Sequence, residues 1–110
     1  MLYSLTLALI LSIAPDVSAQ RAIIATTDFS TGSLSALDTR TNQATNDLLL
    51  IHSDAALRTH GNNVYVLNKL NSDNIIVLSK DDLATPTTQY STGNGSNPHA
   101  IVFVDAEKAY

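Results

Sequence analysis

An all-β fold of short antiparallel strands is the expectation for residues 20–110, and three observations carry it. Short apolar runs recur about every ten residues, each bounded by clusters of Asn, Asp, Gly, Ser or Thr. No apolar stripe at helical spacing is long enough to bury a helix face. The pattern then returns after some forty residues, so the strands come in groups.

The elements follow in order. Strands are expected at Ala22–Thr27, Ser33–Asp38 and Thr45–Ile51, where β-branched and apolar residues sit between "DFSTG", "DTRTN" and "HSD". A second group is expected at Ala55–Thr59, Asn63–Asn68, Asn74–Ser79 and Thr87–Ser91. Two more are expected at Ala100–Val104 and from Lys108 onward. The connections are too short for crossover helices, so neighbours must pair antiparallel. Val64–Leu67 and Ile75–Leu78 are continuous apolar runs, the mark of strands buried on both faces. Thr87-Thr88-Gln89-Tyr90-Ser91 is polar, as suits a solvated outer strand. Asn71-Ser72-Asp73-Asn74 is a run of turn formers, and Asp81-Asp82 and Asp105 also read as turn residues.

Self-similarity organises these strands. At an offset of 41, without a gap, Ile23 falls on Val64, Leu34 on Ile75, Ala36 on Val77 and Leu37 on Leu78. At an offset of 45, "DAALRTHGNNVY" falls on "HAIVFVDAEKAY", pairing Asp54 with His99, Leu57 with Val102 and Val64 with Ala109. Four short strands at such a period make one blade of a β-propeller. Blade one is expected at about residues 22–51, blade two at about 54–91, and blade three begins at about 99–110.

The text of the repeat is specific as well. "NNVYVLNKLNSDNIIVLS" resembles the YVTN-type β-propeller repeat, with Tyr65-Val66-Leu67-Asn68 at the "YVTN" position and Ile75–Ser79 at the "VSVID" position. Ile24–Thr27 and Leu34–Asp38 take those places in the first copy, and "GNGSNPHAIVFV" resembles the passage between blades. The resemblance covers most of residues 22–110 and implies antiparallel four-stranded blades. It implies no particular function, because such propellers serve many. About two blades are present where closure takes about four to eight, so the chain is expected to be the N-terminal part of a longer protein, with further blades to follow.

Residues 1–19 read as a signal peptide. Leu2–Ala14 is almost wholly apolar but short for a membrane span, and Val17 and Ala19 occupy the small-residue positions before a cut that leaves Gln20 first. No Lys or Arg precedes the apolar run, which is atypical. The expected location is periplasmic or secreted, with no membrane span after cleavage.

Composition excludes several chemistries. With no Cys there is no disulfide, thiolate metal site or Cys nucleophile. A net charge of −4 without a basic block leaves a nucleic-acid backbone no track to follow. The loop Ser91–Ala100, "STGNGSNPHA", lacks the Lys of a P-loop and leads into a strand, so it offers no helix N-terminus to an anion. Its Asn94-Gly95-Ser96 matches a glycosylation sequon, read as incidental. No G-x-S-x-G elbow occurs.

The histidines are His52, His60 and His99, without the short spacing of a zinc site. The sharpest candidates are Asp54 and His99, equivalent in the offset-45 pairing and so expected at the same rim of adjacent blades, as contacts for a ligand. The plainer reading makes them solvated loop residues. No catalytic residue, cofactor or metal is assigned. The expected function is a non-catalytic binding or protein-interaction scaffold for a protein or small-molecule partner. The alternative is a propeller-fold enzyme, lactonase-like or metal-dependent.

Overall fold

The structure, a computed structural model, describes residues 20–110; the proposed signal peptide lies outside the described residues. Seven strands form two antiparallel sheets. The first contains β1 (Arg21–Thr27), β2 (Gly32–Asp38) and β3 (Gln43–Ile51), paired in that order. The second contains β4 (Ala55–His60), β5 (Asn63–Asn68), β6 (Asn74–Ser79) and β7 (Thr88–Ser91), also in chain order. Neither sheet closes on itself, and the described residues contain no helix long and apolar enough to cross a membrane.

Side-chain oxygens shape the turns. Asp28 accepts the N–H groups of Ser30 and Thr31 between β1 and β2, at 2.8 and 2.6 Å. Asp38 accepts those of Arg40 and Thr41 between β2 and β3, and Ser79 Oγ accepts that of Asp81 at the corresponding turn of the second sheet. Asp82 accepts from Ala84 and Thr85 in the same connection, where Leu83 turns inward and is buried. A two-residue turn, Gly61-Asn62, joins β4 to β5, with Gly61 at φ 55°, a conformation glycine adopts without steric cost.

The sheets pack face to face. Leu34, Ala36 and Ile51 of the first sheet meet Val64, Val66, Ile76 and Leu78 of the second, closed off by Leu83. Side chains alternate along a strand, so the other face of the second sheet presents Tyr65, Leu67, Ile75 and Val77. That face is apolar too, and residues 101–110 lie over it. Phe103 stacks on His60 with centroids 4.4 Å apart and 7° between planes, and meets Tyr65 at 4.6 Å. The two-sided burial expected of Val64–Leu67 and Ile75–Leu78 is therefore present.

Two expectations need revision. Ala100–Val104 and the segment from Lys108 are not full strands. They form a hairpin with a single bridge, Phe103 to Ala109, flanked by the Val102–Tyr110 hydrogen bonds of 2.7 and 2.9 Å.

The ungapped repeat register also slips. Ile23 packs toward the second sheet while Val64 packs toward the first, so they occupy opposite faces of their own sheets. The pairs Ile23–Ala36 and Tyr65–Val77 correspond instead, as do Ala25–Leu34 and Leu67–Ile75. The correspondence runs one residue later in β5 than the ungapped offset and stays on it in β6, so the intervening turns differ by one residue.

Candidate functional site

Polar groups gather where β3 gives way to β4. His52 N–H donates to Asn68 Oδ1 at 3.0 Å, and Asp54 N–H donates to His52 Nδ1 at 3.0 Å. Asn68 ends β5 almost fully buried, and its amide donates to Asn74 Oδ1 at 2.9 Å. Lys69 completes the group, its largely buried side chain placing Nζ 3.1 Å from Asp54 Oδ1. A buried amide must find partners or destabilise the fold, and Asn68 finds two: one in the connection between the sheets, one in β6. The cluster thereby fixes how the chain leaves the first sheet and enters the second.

The loop Ser91–Ala100 is held from beneath. Asp73 is buried, and its carboxylate accepts Gly95 N–H at 2.7 Å and Asn97 N–H at 2.9 Å. Asn97 Oδ1 in turn accepts Leu70 N–H at 3.2 Å, and Thr92 N–H donates to the Asp73 carbonyl at 2.9 Å. Gly93 and Gly95 both adopt positive φ, 91° and 76°, as the chain doubles back over the β5–β6 turn. The loop is a connector clamped to the preceding turn.

Asp54 and His99, the two rim candidates, fare differently. Asp54 is half-buried and engaged by Lys69 and His52. His99 is exposed, and no hydrogen bond joins the two. Leu57 faces the sheet before it, and in the hairpin Ile101 and Phe103 do so, with Val102 and Val104 exposed.

The histidines are dispersed: His52 in the junction cluster, His60 stacked beneath Phe103, His99 in solvent. Among the described residues no three His, Cys, Asp or Glu side chains are grouped to hold a metal. The carboxylates with perturbed acidity are all turn builders. Asp28, Asp38 and Asp82 are held below the ordinary carboxylate value, chiefly by the backbone N–H groups of Thr31, Thr41 and Ala84 respectively.

Sequence reasoning did not single out Asn68 as a junction residue or Asp73 as an anchor. Asn68 left a trace, a lone amide ending the apolar run Val64–Leu67, where burial demands partners. Asp73 left only a turn signal, since its partners lie more than twenty residues ahead. No family model matches the chain, and no curated protein matches it.

Proposed function

We propose that the chain is an exported, propeller-type repeat protein whose stacked sheets serve as a non-catalytic scaffold for a protein or small-molecule partner. The observation that carries this reading is the second sheet, apolar on both faces and lying between the first sheet and the C-terminal hairpin. Such a unit cannot bury itself alone, and repetition about an axis is one arrangement that covers every face. The resemblance of Tyr65–Asn68 and Ile75–Ser79 to the YVTN-type repeat supports the same reading, and the apolar leader before Gln20 supports export.

The scaffold half rests on how the acidic side chains are used. Five of the described acids accept backbone N–H groups: Asp28, Asp38, Asp82 and Asp105 within their own turns and Asp73 from the loop that follows β7. Carboxylates employed in this way stabilise loops and are poorly disposed to exchange protons with a substrate.

The test is turnover of a lactone, a carboxylic ester and a phosphoester, with and without added Ca²⁺ or Zn²⁺, by the protein and by the double variant Asp54→Ala, His99→Ala. Equal background rates are expected for both. Turnover that disappears in the double variant overturns the scaffold reading in favour of a propeller-fold enzyme, lactonase-like or metal-dependent.

A further inference from the structure

A cleft of about 870 Å³ opens between the two sheets, lined by residues from β1, β4, β5 and the β6–β7 turn. Its apolar wall is made by Ile23 and Leu57, the half-buried margin of the core shared by the sheets, with Val64 fully buried behind them. Its polar wall holds Arg21 and Lys80, with Arg58 at the edge: Arg58 leaves β4 on the face of Tyr65 and His60 and bends back round this edge strand, so the cleft gathers three of the six Lys and Arg residues in a chain of net charge −4.

The remaining cations have partners: Lys69 pairs with Asp54, Lys108 lies over the Tyr110 ring, and Arg40 neighbours Asp38 in its turn. The cleft cations meet no carboxylate within ion-pair distance among the described residues. Arg21 reaches across to the Lys80 carbonyl at 3.2 Å, and Arg58 donates to the Leu57 carbonyl at 2.8 Å. The one acid in the cleft, Asp81, accepts from the Asn62 amide at 2.9 Å and keeps its charge, so it offsets one of the three cations.

Three cations against one carboxylate leave the cleft with an excess of positive charge, which favours an anion among them. We infer that this cleft binds a small amphipathic anion: a carboxylate or phosphate held by Arg21 and Lys80 and by Arg58 at the edge, with an alkyl or aryl body against Ile23 and Leu57. Arginine suits the head group, because its planar fork matches two oxygens at once. The Thr59 hydroxyl, also in the cleft, supplies one more donor. The size falls in the range of small-molecule pockets. The inference goes beyond the scaffold reading and needs only the packing of the two sheets, so it stands or falls separately from any question of turnover or of further blades.

The test is an NMR titration of the full chain with octanoate, octyl phosphate, inorganic phosphate and octanol. Octanoate or octyl phosphate should shift the amides of Arg58, Thr59 and Lys80, more weakly at high salt. The double variant Arg58→Gln, Lys80→Gln should lose about tenfold or more in affinity, the weight of charge-assisted contacts, with its circular dichroism unchanged. Arg40→Gln, outside the cleft, should bind as the unaltered protein does. If only one of the two alkyl anions binds, the head-group chemistry is identified and the site stands. Absence of shifts with both alkyl anions at millimolar concentration overturns the inference. So does equal binding of octanol, equal binding of inorganic phosphate, or undiminished affinity in the double variant. Should that variant unfold, Arg21→Gln alone replaces it, with the same fall in affinity expected.

Discussion

Removing the Asp73 carboxylate should release the loop that it clamps, and the size of the effect can be worked from the contacts. Asp73→Ala deletes the acceptor of two N–H groups, Gly95 at 2.7 Å and Asn97 at 2.9 Å. A hydrogen bond to a charged group contributes about 1.5–3 kcal/mol. The lower value applies here, because the loop is largely exposed and its freed N–H groups rehydrate. Two such bonds give about 3 kcal/mol. Asp73 also sits at φ 42°, which Asp and Asn tolerate better than Ala, so alanine adds a further cost. Asp73→Asn keeps the backbone tolerance and one acceptor oxygen, and should lose about half as much. The assay is hydrogen exchange at the Gly95 and Asn97 amides. A loss of about 3 kcal/mol in the local opening free energy speeds exchange roughly a hundredfold. The asparagine variant should show about tenfold. Unchanged protection of both amides in Asp73→Ala, or equal damage from asparagine and alanine, would refute the clamp.

Three further outcomes are expected. Gly32→Ala drives a Cβ into the His52 backbone carbonyl, so a melting curve should show a loss of about 1–3 kcal/mol; an unshifted midpoint would mean that β2 and residue 52 do not approach so closely. Phe103→Ala removes the stack on His60 and the contact with Tyr65, aromatic pairs contributing about 0.5–1.5 kcal/mol each. The hairpin amides Val102 and Tyr110 should lose protection while both sheets keep theirs, and retained hairpin protection would count against the docking. The Asp28, Asp38 and Asp82 turns carry a pH dependence. Their folded values lie below the ordinary 3.8, so their contribution is fully present above that value and is lost as pH falls through the lowered values. Carboxyl NMR titration should give three midpoints below 3.8, and midpoints at or above it would contradict the turn geometry.

What the sequence made readable was what local chemistry controls. Asn63–Asn68 and Asn74–Ser79 have the bounds expected from their apolar runs, and the other five strands differ by one or two residues at an end. Turn formers stand at the reversals because their side chains accept the N–H groups left over there, as Asp38 and Ser79 do at corresponding turns. The C-terminal hairpin was over-read for a related reason. Ile101–Val104 has the composition of a strand, but composition does not say how many partner residues lie opposite.

The repeat register escaped for a deeper reason. In a sheet with one apolar face, a slip of one residue exposes every apolar side chain, and the pattern itself forbids it. The second sheet is apolar on both faces, so moving β5 by one residue exchanges Val64 and Val66 for Tyr65 and Leu67. Apolar still meets apolar, and nothing in the pattern objects. The same two-sided burial that identified the strands therefore removed the information needed to align them. The cationic cleft was beyond the sequence for the complementary reason. Arg21, Arg58 and Lys80 are spread over sixty positions, one in each of three segments, and only the packing of one sheet on the other makes them neighbours. Local pattern gives the strands of such a stack; the relation between its layers, where any site between them must lie, depends on a register that two-sided apolar strands do not encode.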